Sequence, residues 1–430
     1  MEKQQASRQG LLYRLLFSGD IQINKRAYIW NMIASTLYSF QAAIFLLVAN
    51  RVGGETDAGA FIILFTVGTT LGTLGSCCMR SFQVSDVKEE YSFTDYYTTR
   101  WTTCTLMAVV AVGYLIQKRL GWEDAVVLFC LVGYRFVEGM EDVCHGMVQR
   151  LGRFDVSSIA MAARIIIASI LFCVVYILTN NRMYASMAFF GSALVVYAVF
   201  ITTIRQEFAT SMPRQLNFSH LWKLLYACLP LLVGGFLYTY LVNAPKYAID
   251  AVLSKDMQTI YNILAMPAFV INILSMFIYR PLMVKISLLW NDNNRKGFVR
   301  MMLQQLAIIA GLTVVVMVGG AVIGLWLLGV IYGVDLMAWK PLFLLILFFG
   351  GVAAAACFFD LLVTVMRKQY FTIVSYGTAW VVHLLVTKRL VSAYGLWGAG
   401  YAYGVIIGTI CLVDFAAVVV QIVKKGRKQQ

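Results

Sequence analysis

The sequence predicts an all-α polytopic membrane protein with twelve transmembrane helices in two pseudo-symmetric six-helix bundles. Three observations carry that prediction. Of the 430 residues 60% are apolar and only 13% are charged, whereas soluble chains are about 45–50% apolar. Apolar windows long enough to cross a bilayer, about 20 residues each, follow one another along the whole chain. The connections between them are short, leaving no stretch that would fold as a water-soluble domain.

Residues 1–27 carry Leu11, Leu12, Leu15, Leu16 and Phe17 between Arg8 and Arg14. This short amphipathic stripe reads as a cytoplasmic helix lying in the membrane interface. It lacks the long apolar core and small-residue cleavage site of a signal peptide. Hydropathy windows then place spans at 28–49, 59–79, 101–116, 125–147, 157–179 and 183–203, an N-terminal bundle over 28–203. A polar stretch at 204–220, with Arg205, Glu207, Pro213, Arg214 and Asn217, reads as a cytoplasmic linker. Spans at 221–243, 257–280, 301–328, 341–366, 370–387 and 395–423 make a C-terminal bundle over 221–423, and 424–430 is a basic tail. With both termini in the cytoplasm, the inside connections hold more than twice the Lys and Arg of the outside ones, as the positive-inside rule requires. Arg80 and Arg100 are among those inside cations. The expected location is the plasma membrane of a bacterial cell.

The net charge of +14 has little aqueous surface to occupy. No basic domain stands apart from the apolar segments, so nucleic acid is a poor partner; anionic lipid headgroups or an anionic cargo suit the charge better. Cysteines lie in or beside apolar runs without a CxxC pair, and the three histidines are scattered, so neither a metal nor another cofactor is expected. Walker, GxSxG and HExxH motifs are absent, which leaves hydrolytic chemistry without a seat and points away from an enzyme.

Charges at membrane depth are costly and so informative. Span four carries Arg135, Glu138, Glu141 and Asp142, and the i, i+3, i+7 spacing sets Arg135, Glu138 and Asp142 along one helix face. Span five carries Arg164 at about the depth of Glu138, roughly 10 Å from the cytoplasmic end at 1.5 Å per residue. An Arg164–Glu138 pair between helices is therefore expected. The cluster reads either as a structural or gating salt bridge or as a site of ion coupling. Asp360 in span ten and Asp414 in span twelve are single carboxylates, each a candidate proton or sodium site or a satisfied polar contact.

The two halves echo one another weakly. Asn50-Arg51, an acid-bearing turn, an apolar span and Met79-Arg80 match Asn243 with Lys246, an acid-bearing turn, an apolar span and Tyr279-Arg280. An even number of spans per half makes this a parallel repeat, which places substrate between the halves. Four of the six prolines, Pro230, Pro245, Pro267 and Pro281, gather in or beside spans seven and eight. Pro230 followed by Gly234 and Gly235 gives span seven the makings of a bendable gate. Most tryptophans mark the interfacial belt, while Tyr238 in span seven and Tyr261 in span eight are candidates for stacking on sugar rings.

Met79-Arg80-Ser81-Phe82-Gln83-Val84-Ser85-Asp86-Val87, Pro245-Lys246-Tyr247-Ala248-Ile249-Asp250, Met266-Pro267-Ala268-Phe269 and Tyr279-Arg280-Pro281-Leu282 give the chain a more specific likeness. It resembles the polysaccharide and lipid-linked oligosaccharide flippases of the multidrug/oligosaccharidyl-lipid/polysaccharide (MOP) exporter superfamily, as found in capsule and exopolysaccharide clusters. The resemblance implies a MATE/MOP-like fold and alternating access, with export of polyprenyl-diphosphate-linked oligosaccharide repeat units to the outer leaflet. It also implies as partners the membrane lipids, and glycosyltransferases and a polymerase of the same pathway. A diphosphate needs fixed cations in place of its lost hydration, and Arg51, Arg80, Lys246 and Arg280 are the candidates, with Arg135 an outsider. An ion-coupled multidrug or small-solute antiporter of the same superfamily is the alternative, favoured by the acids of span four. A repeat-unit polymerase or ligase would need larger external loops.

Overall fold

A computed structural model describes residues 23–77, 79–86, 90–151, 153–208, 218–279, 282–368 and 370–427. Residues 1–22 of the interfacial segment expected at 1–27, most of the 204–220 linker, Arg280, Pro281 and the last residues of the tail lie outside them. The described residues are almost wholly helical, in the order α1 (Ile23–Ser76), α2 (Met79–Ser85), α3 (Phe93–Lys118), α4 (Trp122–Arg150), α5 (Phe154–Thr179), α6 (Arg182–Phe208), α7 (Phe218–Val252), α8 (Lys255–Tyr279), α9 (Met283–Asn291), α10 (Arg295–Gly319), α11 (Leu325–Tyr332), α12 (Lys340–Val365) and α13 (Tyr370–Arg427). A π-helical turn, Gly320–Gly324, joins α10 to α11, so the two make one long segment.

Two glycines turn two of these elements into pairs of spans. Gly54, at φ +82°, breaks α1, and Gly395, at φ +57°, breaks α13. Each lies in a region of backbone space that a Cβ disfavours. Each marks the short turn expected between spans one and two and between spans eleven and twelve. Nine helices among the described residues are long and apolar enough to cross a membrane. The two breaks and the charged helix α4 raise the number of long helical segments to the expected twelve.

The chain forms two compact units. The first comprises residues 1–53 and 64–236, and the second comprises 54–63 and 237–430. The division falls within α7, at 236/237, and the segment 54–63 of α1 belongs with the second unit. In the first unit α4 packs against α3 and α6, and α5 against α6. Phe45, Phe65, Phe172 and Phe189 form an aromatic core there, with Phe45 and Phe172 ring centroids 4.1 Å apart. In the second unit α12 packs against α8, α10 and α13. Its buried Gly350, Gly351, Ala353, Ala354 and Ala356 let backbones approach closely, which is how helices gain dispersion energy where lipid offers no hydrophobic drive.

A Cβ added at Gly350 would sit 2.7 Å from the Cβ of Ala268, closer than two carbons can pack. The Gly350→Val protein is therefore expected to melt at a lower temperature in detergent, with an overpacking cost of about 1–3 kcal/mol. An unchanged melting midpoint would show that the α8–α12 contact is loose.

Candidate functional site

Helix α4 organises the polar interior of the first unit. Its N-terminal turn holds Glu123 and Asp124, suited to the positive end of a helix dipole. Deeper in the same helix, one buried side follows another from Val127 to Val148. Charges on that side must find partners on neighbouring helices, and they do. Arg135 donates from Nη1 to Glu138 Oε2 at 2.7 Å and to Tyr38 Oη at 3.2 Å, and from Nη2 to Thr69 Oγ1 at 2.9 Å. The rings of Tyr38, Phe65 and Tyr134 each lie 5.5 Å from its guanidinium carbon. Arg164 of α5 reaches both acids of the next turn, Glu138 Oε1 at 3.3 Å and Glu141 Oε2 at 2.5 Å. Its guanidinium stands over Tyr134 at 4.9 Å.

Asp142 points toward α2 and α3. Its Oδ1 accepts from Arg80 at 3.2 Å and its Oδ2 from Arg100 at 2.9 Å. Arg80 also donates from Nε and Nη2 to Gln149 Oε1, at 3.3 and 3.0 Å. Arg100 donates besides to the carbonyls of Gly75 and Ser76 at the end of α1. The two arginines differ in exposure: the Arg100 side chain is fully buried and that of Arg80 is 28% exposed. Along α4 the ion pairs form a ladder of two separate groups, Arg80–Asp142–Arg100 and Arg135–Glu138–Arg164–Glu141, which together set four arginines against three carboxylates.

The expected Arg164–Glu138 pair is present, and Glu141 is a second and shorter partner of the same arginine. Arg135 and Glu138 bond as neighbours on one face, whereas Asp142, placed on that face by spacing, serves a different pair of arginines. Arg100 is expected among the cations of the cytoplasmic connections. It is instead a buried member of the ladder, because α3 begins at Phe93, well before the apolar run that starts near 101. A capping box between Ser92 and Asp95 starts that helix early. His145, one of the three scattered histidines, sets its Nε2 3.6 Å from Glu141 Oε1. The Glu141-x-x-x-His145 spacing of one helical turn was the available signal.

A second polar group lies within the second unit. Asp360 of α12 accepts from Thr372 Oγ1 at 2.7 Å. Asp414 of α13 is fully buried, with the Ser375 hydroxyl close to its carboxylate. The two carboxylates, single in sequence, lie within electrostatic reach of one another and of Tyr376. Tyr238 stacks near Tyr376, centroids 5.6 Å apart, and its hydroxyl lies 3.2 Å from Cys357 Sγ. Tyr261 is buried in α8. Arg51 is exposed on α1 and Lys246 half-buried on α7. Pro230 is exposed and Gly235 half-buried on α7, which runs as one helix through both. Arg280 lies outside the described residues.

No protein-family model matches the chain, and a search of curated proteins gives no match. Solved structures do match over nearly the whole length. An inward-facing multidrug resistance MATE family transporter of the MOP superfamily aligns at a TM-score of 0.66 and 12% identity, over 94% of this chain and all of that one. The fold is that of the MATE/MOP transporters. Two further relatives in structure agree. The Vibrio cholerae MATE transporter VcmN, as a single-residue mutant, aligns at 0.58 and 12% identity over 95% of this chain and 98% of that one. A MOP superfamily transporter from Pyrococcus furiosus, whose binding pocket of reverse polarity suggests a different function, aligns at 0.53 and 12% identity over 98% of this chain and all of that one. A MATE/MOP fold fits the two helical units and makes the chain a multi-pass membrane protein.

Proposed function

We propose that the protein is a flippase that exports polyprenyl-diphosphate-linked oligosaccharide repeat units to the outer leaflet by alternating access. The observation that carries this reading is the cationic surplus of the α4 ladder, four arginines to three carboxylates, with the Arg80 guanidinium partly exposed at its end. A bulky diphosphate is the kind of cargo that fixed, preorganised guanidinium groups bind bidentately. Arg51 and Arg80 in the first unit and Lys246 in the second are the proposed diphosphate contacts, with Arg280 as a fourth. Tyr238 and Tyr261 are the proposed sugar contacts, and Pro230 with Gly235 the bending point of α7. Arg135 is held by Glu138, Tyr38 and Thr69, so its part is to brace the ladder. The fold supports alternating access, because solved relatives include inward-facing and outward-facing conformations. The reversed pocket polarity of the Pyrococcus furiosus relative is a precedent for a pocket of different polarity on this fold. A negative interior favours outward movement of an anion by about 2.3 kcal/mol per charge per 100 mV, which assists export.

Ion-coupled antiport of organic cations is the second reading, favoured by the buried Asp414 within electrostatic reach of Asp360. Reconstitution separates the two. Proteoliposomes holding the full chain and a fluorescent lipid-linked oligosaccharide are expected to move the headgroup across the bilayer, faster with the destination side positive. Transport of a cationic dye with no headgroup movement would replace the flippase reading by the antiporter.

A further inference from the structure

The first unit holds an apolar cleft on the side of α4 away from any cargo contact. Both α3 and α6 pack against α4. Near one end of the bundle they also meet each other, where the hydroxyls of Tyr97 and Tyr197 lie 3.4 Å apart. Toward the other end, where α3 stops and α4 and α6 start, they part, and a cleft of about 230 Å³ opens between them with α4 as its floor. Small residues make the space: Ala108 and Ala111 on α3, and Gly133 on α4, where a Cβ would come within 2.8 Å of the Phe190 ring. Val112 and Phe129 form an exposed rim. Every lining side chain is apolar.

Water does not fill such a cleft, because it needs polar partners, and an empty one forfeits the dispersion contacts of its walls. Within a bilayer the remaining filler is hydrocarbon. The floor runs from Leu128 to Val137, about 14 Å at 1.5 Å per residue, against about 15 Å for one leaflet of a roughly 30 Å hydrocarbon core. Charge at the mouth selects the headgroup. Lys118 and Arg119 are exposed and stand one helical turn beyond Leu115, which lines the cleft. Asp124, one turn before Leu128, is bridged by Arg182 of α6 at 2.8 Å. Glu123 lies about two and a half turns before Val132, on the opposite face of α4. Three cations thus meet one carboxylate at the mouth, a surplus suited to a phosphate.

We propose that this cleft binds a phospholipid of net negative headgroup, with one acyl chain in the cleft and the phosphate on Lys118 and Arg119. The lipid completes the packing of α3, α4 and α6 that the chain leaves open. Its site is independent of what the protein transports, and the match to a single leaflet favours a phospholipid over a lipid with a longer polyprenyl tail.

Phosphatidylglycerol and phosphatidylcholine bearing a photoreactive diazirine in one acyl chain test the site. Each is introduced in trace amount into phosphatidylcholine liposomes holding the full-length protein, and adducts are located by mass spectrometry. In the wild type, phosphatidylglycerol adducts are expected to concentrate in 108–115 and 128–137. They should exceed phosphatidylcholine adducts there about fivefold or more, the preference that one cation near a membrane surface confers. Lys118→Gln/Arg119→Gln, made at an exposed helix end, should bring the two lipids level while leaving the adducts in place. Val112→Trp, which grows into the cleft from its rim, should remove most adducts of both. Adducts spread evenly over the lipid-facing helices, or equal labelling by both lipids in the wild type, overturn the proposal whether or not either variant folds. Displacement of the phosphatidylglycerol probe by unlabelled polyprenyl diphosphate, and not by unlabelled phosphatidylglycerol, would make the cleft a cargo site and overturn it as well.

Discussion

Replacing Arg164 by methionine is expected to cost the protein more stability than any other single change in the α4 ladder. The side chain is 2% exposed, and its two strongest contacts are Glu141, fully buried, at 2.5 Å and Glu138 at 3.3 Å. Methionine fills the volume but leaves Glu141 with only the distant His145 Nε2 for company. Removing one partner of a buried ion pair costs about 3–5 kcal/mol, because the other charge remains without compensation. Removing both is far milder, since the desolvation of each charge disappears with it. The Arg164→Met/Glu141→Met double variant should therefore recover most of what Arg164→Met loses. Melting in detergent, followed by size-exclusion fluorescence, measures all three proteins beside the wild type. A single variant as stable as the wild type would show that Glu141 is already uncharged in the resting protein. Additive losses in the double variant would show that the two residues do not interact.

The contrast between what the sequence announces and what it conceals follows from the physics of spans. Twelve apolar runs are legible because every residue in a bilayer must satisfy the same solvent, so hydropathy alone finds them. The breaks at Gly54 and Gly395 fall where those runs part. Arg135, Glu138, Glu141, Asp142 and Arg164 are legible for the opposite reason, since an ionisable group within an apolar run stands out. Partnership is harder to read than position. Asp142 could not be assigned to Arg80 and Arg100 by spacing along one helix, because both partners come from other elements. Arg100 looked interfacial because hydropathy marks where apolar residues begin, and α3 begins earlier, at a capping box made of polar residues. His145 reads only as one of three scattered histidines, although its spacing of one helical turn from Glu141 stands in the sequence. Asp360 and Asp414 meet only through the packing of α12 on α13, a contact no local pattern encodes.

Arg80 and Arg100 bond the same carboxylate, yet they are expected to fail in different ways when changed to glutamine. Arg100 is wholly buried and holds the carbonyls of Gly75 and Ser76 as well as Asp142. Arg100→Gln therefore leaves backbone acceptors and a carboxylate short of a donor, and should lower the yield of folded protein. Arg80 keeps 28% of its side chain exposed, and Gln149 and Arg100 remain to satisfy its neighbours. Arg80→Gln should therefore fold and reach the membrane at close to the wild-type level. Its expected loss is export. A charge-assisted hydrogen bond to phosphate is worth about 1.5–3 kcal/mol, so losing it should reduce transport about ten- to a hundredfold. Arg80→Lys should fall in between, because an ammonium supplies the charge but not the planar fork that engages Asp142 and Gln149 together. Complementation of a flippase-deficient strain, normalised to the amount of protein in the membrane, reads both variants at once. Export by Arg80→Gln at the wild-type rate would remove Arg80 from the cargo path and leave the ladder a purely structural brace.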